Sequence, residues 1–279
     1  MRHPIFLTLA LGGSLALSAC NSTDGDVTRA IDSVRNEQGG MRDVMLTVAQ
    51  PTEAVAFFKR ETAAGPDDVE AHRGLAQSLI RAGRPTEAIL VWRDVLEMEG
   101  ATHDDRVDLA DALIRTSDWT EAKAVLDTIP PTHETFKRYR LEAMVADSQQ
   151  QWSKSDSFYE TAVGLTTTPA GVLNNWGFSK LTRGDSEAAE RLFTEAITYD
   201  DDLFTAKNNL VLARAARRSY ALPGIRMNQE QRAQLLHTAG LAAIKQGDVD
   251  IGRNLLQDAI DTHPRHFEPA VRALQALDA

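Results

Sequence analysis

The tripeptide Thr-Glu-Ala stands at residues 52–54, again at 86–88 and again at 120–122, 34 residues apart each time. A fixed period of that length constrains the chain more than any other property it has. One period makes one supersecondary unit, too small to bury its own apolar face, so successive units must stack and share a continuous core. Extending the frame gives three columns. A small residue recurs where the first helix of each unit crosses the second: Ala76, Ala110, Ala143, Gly177 and Gly240. A small residue faces back from the second helix at Ala54, Ala88, Ala122, Ser155, Ala189 and Gly252, and four residues later a large apolar group follows: Phe58, Trp92, Leu126, Tyr159, Phe193 and Leu256. Gly83, Gly184 and Gly247 fall at the turn between helices, where a left-handed residue closes the first helix.

These columns, with Pro66 and Pro264 closing their units and the well-formed stretch Leu173-Asn174-Asn175-Trp176-Gly177 to Ala196, resemble the tetratricopeptide repeat. The resemblance covers roughly residues 35–266 and implies an all-α, right-handed solenoid of helix-turn-helix units. The units fall near 35–68, 69–102, 103–135, 136–169, 170–203, 204–232 and 233–266, with a capping helix over 267–279. No alternating apolar and polar run is long enough to argue for a sheet. The frame is irregular in places. Arg42 stands in the small-residue column, Lys180 replaces a usual aromatic, and one residue is missing between Leu126 and Tyr159. Pro223 falls where a helix-facing alanine belongs, so the second helix of the sixth unit should give way to an extended segment, with helix resuming near Asn228.

The first residues carry a different signal. Ile5 to Leu17 is an uncharged apolar run ending in Leu17-Ser18-Ala19-Cys20, too short for a permanent membrane span. It resembles the lipobox of bacterial lipoproteins, which implies a signal peptide over 1–19, a lipidated Cys20, and a tether over 20–34. Cys20 is the only cysteine in the sequence, so an intramolecular disulfide is excluded. Asn21 is not the aspartate that resembles an inner-membrane retention signal, which leans the expectation to the periplasmic face of the outer membrane. A net charge of −10 argues against nucleic acid as the main partner.

No arrangement for catalysis is present: no H-E-x-x-H, no phosphate-binding glycine loop and no G-x-S-x-G turn. No cofactor is expected, and the chain reads as a non-enzyme. His263 and His266 lack a carboxylate or cysteine companion in sequence and read as surface residues. Asp67-Asp68, Asp104-Asp105 and Asp200-Asp201-Asp202 sit at unit junctions, where aspartates cap the following helix. The informative surface is the inner wall of the superhelix, lined by first helices. It places Arg73, Gln77, Arg81, Arg115, Arg140, Asn174, Phe178, Asn208 and His237 as a partner-binding groove, with Asp111, Met144, Leu212 and Leu241 among them. Asparagine offers donor and acceptor to an extended backbone, and arginine holds a carboxylate bidentately. The alternative is a solvated face with internal salt bridges. Asn174 and Asn208 resemble the asparagines of peptide-clamping tetratricopeptide proteins, but the lysines of such a carboxylate clamp are not at the matching positions.

A lipidated solenoid of this size resembles three groups of bacterial envelope proteins. Asn174 to Phe178, the interrupted stretch Arg217 to Met227, and the ending Leu255 to Phe267 look like the TadD-type assembly lipoprotein of the tight-adherence (Flp) pilus. That resemblance implies a membrane-anchored scaffold whose protein partner is a secretin or another pilus-assembly component. The alternatives are the pilotin of type IVa pili, the solenoid lipoprotein of the β-barrel assembly machine, and an adaptor for peptidoglycan hydrolases.

Overall fold

The computed structural model describes residues 39–278, and fourteen helices with no strand make up the regular structure of that span. They run as α1 (39–47), α2 (Pro51–Ala64), α3 (Val69–Arg81), α4 (Pro85–Glu97), α5 (His103–Arg115), α6 (Trp119–Asp127) and α7 (Phe136–Ser148). Then come α8 (Trp152–Gly164), α9 (Ala170–Thr182), α10 (Ser186–Tyr199), α11 (Phe204–Ala216), α12 (Gln229–Lys245), α13 (Val249–Thr262) and α14 (Glu268–Asp278). From α2 to α14 each helix packs on the next, and α5 with α7, α7 with α9, α9 with α11 and α12 with α14 touch more weakly, so these helices form an array of antiparallel pairs. The expected all-α solenoid is the observed fold. Cys20, the signal segment and the tether lie outside the described residues.

Local chemistry starts and stops these helices. Pro51 and Pro85 occupy the first turns of α2 and α4, where the missing N–H costs nothing. Asp68 caps α3 by accepting from the Ala71 N–H, and Thr102 with Asp105 forms a reciprocal capping box on α5. The aspartates at 200–202 behave differently from expectation. Asp200 ends α10 and accepts from the Asp202 N–H, while Leu203, at the cap position before α11, gives it no side-chain cap.

The columns read from the sequence are the crossings of the pairs. Ala76, Ala110, Ala143 and, on the second helices, Ala54, Ala88, Ala122, Ser155 and Ala189 are fully buried. Phe58, Trp92, Leu126, Tyr159, Phe193 and Leu256 fill the space between them, none more than 3% exposed. Glycine at a crossing reflects contact with a ring or a backbone: a Cβ on Gly177 would stand 2.7 Å from the Phe193 ring, and one on Gly252 2.8 Å from the Gly240 carbonyl oxygen. At column position 42 the Arg42 guanidinium bonds Glu61 at 2.8 Å and Asp68 at 2.6 Å. Lys180 lies 5.9 Å from the centre of the Trp176 ring and pairs with Asp156 at 3.0 Å.

The turn between paired helices is left-handed at Gly83, Gly184 and Gly247, with φ of 70°, 86° and 86°. Ser117, Gln150 and Arg218 adopt the same conformation without a glycine, at 62°, 57° and 58°. The sixth unit is interrupted, as Pro223 required. After α11 and the turn at Arg218, residues 219–227 run without helix, and the Asn228 cap opens α12 with Gln231 completing a capping box. The crossing position in α11 is Val211, too large for a close second helix. Leu222 and Met227 cover it together with Leu235 and Ala239 of α12. Lys207, 1% exposed, holds the strap through the Arg226 carbonyl at 2.7 Å. α12 consequently starts at Gln229, four residues before the unit boundary expected at 233.

Candidate functional site

The inner-wall residues divide into two groups. In the first half of the array the cations are committed within the fold. Arg73 donates from Nε and Nη2 to the two Asp105 oxygens at 2.7 Å each, and also to Glu70 and the Gly100 carbonyl. Burial alone would raise the Asp105 carboxyl, but the hydrogen bonds from Arg73 and Thr102 outweigh it and hold the group below the usual carboxylate range. Arg81 donates to the Met45 and Ala49 carbonyls at 2.9 and 2.8 Å, fastening α3 to the end of α1. Arg115 bonds Asp111 of its own helix at 3.2 Å. Lys137 pairs with Asp108, whose carboxyl burial pushes up. An acidic α5 is thereby cross-braced to α3 on one side and α7 on the other. Gln77 lies exposed beside this brace.

Arg140 is the exception among these cations. Its Nη2 stands 4.0 Å from Asp111, beyond hydrogen-bond range, and its Nε is buried without a partner.

In the second half the wall is uncharged. The Asn174 Oδ1 accepts from the Asn209 Nδ2 at 3.0 Å, and the Asn208 Oδ1 accepts from the Thr238 hydroxyl at 2.8 Å. The amide ladder thus joins Asn174 to Asn209 rather than to Asn208, its counterpart one period on. Asn175 donates to the Met144 sulfur at 3.5 Å. His237 is half-buried and packs edge-on against Phe267 at 5.6 Å, which makes it part of the cap rather than of an open groove. Phe178 is 52% exposed.

Phe178 and Asn174 line a cleft of about 490 Å³, with Met144, Asp147, Trp119, Trp152, Tyr159, Ser179 and Asn209. α9 supplies Asn174 and Phe178 one helical turn apart, with Asn175 and Ser179 next to them, and α7 supplies Met144 and Asp147 three residues apart. Asp147 sits on the floor and accepts three hydroxyl protons: Ser155 at 2.5 Å, Ser179 at 2.7 Å and Tyr159 at 3.0 Å. Burial, with the adjacent Asp147 charge, drives the Tyr159 hydroxyl far above its ordinary range, so it stays a donor. A carboxylate with its protons supplied this way is a structural acceptor, and the rest of the cleft is aromatic, apolar or amide. Sequence reasoning missed Trp119, Trp152 and Asp147. The two tryptophans open the second helices of successive units, in the column that Pro51 and Pro85 occupy earlier, so an aromatic change in that column was the available signal.

No group of three or more His, Cys, Asp or Glu able to hold a metal occurs among the described residues, and no helix among them is long and apolar enough to cross a membrane.

Comparison with known proteins agrees with this geometry. Residues 46–99 match the tetratricopeptide repeat family model. No curated protein matches the chain. A tetratricopeptide repeat protein from Parabacteroides merdae superposes with a TM-score of 0.54 at 11% identity, covering 89% of this chain and 96% of that one. The structure of Pseudomonas aeruginosa pilF superposes at 0.51 with 15% identity, covering 75% and 96%. A chain of the APC/C hetero-tetramer Cut9-Hcn1 gives 0.62 at 11% identity over 84% of this chain, which spans about half (47%) of that longer chain. At such identities these likenesses establish the fold alone: an all-α solenoid of tetratricopeptide-type repeats.

Proposed function

We propose that this chain is a membrane-tethered, non-enzymatic scaffold that holds an extended segment of a partner protein on its inner wall, in the service of assembling a tight-adherence pilus and its secretin. The observation that carries the binding reading is the cleft beside α9. A half-exposed phenylalanine in a concavity is an apolar surface left uncovered by the fold, and aromatic anchors in such positions dominate protein interfaces. Beside it, the Asn174–Asn209 pair uses one acceptor and one donor on each other. The Nδ2 protons of Asn174 and the Oδ1 of Asn209 remain to meet the C=O and N–H of a backbone passing over them.

The pilus assignment rests on the resemblance of Asn174 to Phe178, of the interrupted sixth unit, and of the Leu255 to Phe267 ending to TadD-type lipoproteins. The tether rests on the sequence around Cys20. Cys20→Ala should release the protein from the membrane fraction, and equal membrane association of the two forms would remove the anchor. A photo-crosslinking amino acid in place of Phe178, used in intact cells, should capture a secretin or another pilus component. Capture of a peptidoglycan hydrolase would replace the pilus reading with the adaptor reading. Capture of no protein from position 178, with efficient capture from the outer faces of the helices, would move binding away from the groove.

A further inference from the structure

We propose that the cleft selects a particular pair of side chains: an aromatic ring of the partner, seated against Phe178 and Met144, with a carboxylate two residues from it bound by Arg140. This rests on the groove being the binding surface, and adds what the groove reads.

The argument begins with what is already satisfied. The Asp147 carboxylate on the floor accepts from three hydroxyls. The guanidiniums of Arg140 and Arg183 both act electrostatically on the Tyr159 hydroxyl that donates to it. Arg183 is engaged by Asp156 and lies 5.4 Å from the centre of the Trp152 ring. A cationic ligand would therefore meet a carboxylate with little accepting capacity left and two positive neighbours. The cations of α5, α7 and α9 point the other way. Arg115 bonds Asp111 at 3.2 Å and Lys180 bonds Asp156 at 3.0 Å, and Arg183 also pairs with Asp156, which leaves Arg140 with no contact closer than 4.0 Å to a carboxylate.

Among those cations Arg140 is incompletely used. Its nearest carboxylate is 4.0 Å away and its side chain is 25% exposed; its Nε, like that of Arg183, is buried without a partner, but Arg183 has Asp156. It precedes Met144 by one turn on the same face of α7, about 6 Å along the helix axis. That rise matches about two residues of an extended chain, whose alternate side chains share a face. A ring over Met144 and Phe178 therefore places a carboxylate from the next-but-one residue within reach of a guanidinium that lacks a full set of acceptors. The ring covers the exposed Phe178, and the carboxylate completes Arg140.

The test uses purified protein and three short synthetic peptides on a common glycine-serine background. One carries Phe-Ser-Asp, one Phe-Ser-Lys and one Ala-Ser-Asp, and binding is read from tryptophan fluorescence, since Trp119 and Trp152 line the cleft. The Phe-Ser-Asp peptide should bind at least about tenfold tighter than either control, the return expected of one charge-assisted bidentate contact or one buried ring. That preference should weaken with added salt. Arg140→Gln should erase the Asp-over-Lys preference while retaining the Phe-over-Ala preference, and Phe178→Ala should do the reverse. Arg140→Lys, which keeps the charge, should keep part of the selectivity, and unchanged circular dichroism would confirm that each variant is folded. Equal binding of Phe-Ser-Asp and Phe-Ser-Lys would overturn the proposed selection and leave the groove intact as a binding surface. Binding of none of the three, with position 178 still capturing a partner in cells, would also overturn it, whereas loss of both signals would overturn the groove reading itself.

Discussion

Gly252→Ala tests the packing logic where a glycine meets the backbone of the facing helix. Gly252 faces Gly240 across the α12–α13 crossing, and an added Cβ would stand 2.8 Å from the Gly240 carbonyl oxygen and closer still to Ile244 Cγ1. The isoleucine can change rotamer, but the carbonyl is fixed within a helix, so the two helices must separate. Overpacking of a close-packed site costs about 1–3 kcal/mol, and contact with backbone places this case near the upper end. Alanine recovers about 1 kcal/mol of helix propensity over glycine, leaving a net loss of about 2 kcal/mol. Gly171→Ala is the counterpart: it lies in α9 with nothing within 4 Å of its Cβ, and should stabilise by about 0.5 kcal/mol. Because units touch only their neighbours, the loss at position 252 should stay local. Hydrogen exchange should quicken in α12, α13 and α14 while α3 to α6 keep their protection. A neutral or stabilised Gly252→Ala, or a loss spread evenly to α3, would refute both the crossing geometry and the nearest-neighbour account.

Ala189→Leu, at a fully buried crossing, should destabilise by about 1–3 kcal/mol in urea denaturation, while Glu195→Leu on the exposed face of the same helix should change little. Asp105→Asn leaves Arg73 without its main partner in a site where the aspartate is nearly buried, and should cost about 3 kcal/mol with faster exchange confined to α3 to α5. Its depressed carboxyl also means that the wild type carries a contribution fully present above the ordinary aspartate value near pH 4 and lost as pH falls below it, so the acid limb of the stability curve should flatten in the variant. His237 has the opposite habit: burial pushes its value below the ordinary one, against the pull of the Pro269 carbonyl. Stability from neutral His237 is present above the unfolded value of about 6.5 and is lost as pH falls through the lower folded value, so the protection of α14 relative to the intrinsic exchange rate should be lower at about pH 5 than at pH 7, a difference His237→Gln should abolish.

Much of this fold was readable because the repeat sets residue size in a column, and size is what a crossing tests. Ala76, Ala110 and Ala143 could be placed without coordinates for that reason. The turns at Ser117, Gln150 and Arg218 were harder, since the signal for a left-handed residue is glycine and these positions lack it. Val211 was legible in principle, as a large residue in a small-residue column, and explains the interrupted unit together with Pro223. The site was readable only as a list of inward positions. Which arginines remain available depends on partners about one period away, such as Asp105 for Arg73, and an ion pair between units is fixed by the angle at which the units stack. The cleft has the same difficulty, because α6, α7, α8, α9 and α11 all contribute to it.

The neighbour-only contacts of the array bear on how the chain acquires its shape. Contacts of short sequence reach let structure form before the chain is complete. As this protein emerges from a pore, whether a ribosome exit or a translocation channel, α2 and α3 can dock once roughly one period has cleared. Each later helix then finds a finished surface waiting. That progress meets its first irregular step at Arg218, where the turn is made but no second helix follows. From there the strap must wait for α12 to supply Leu235 and Ala239 before Val211 is covered. The sixth unit thus divides synthesis into an early array that can close on its own and a late one that closes as a block, with the cleft around Phe178 awaiting only α11 to be whole.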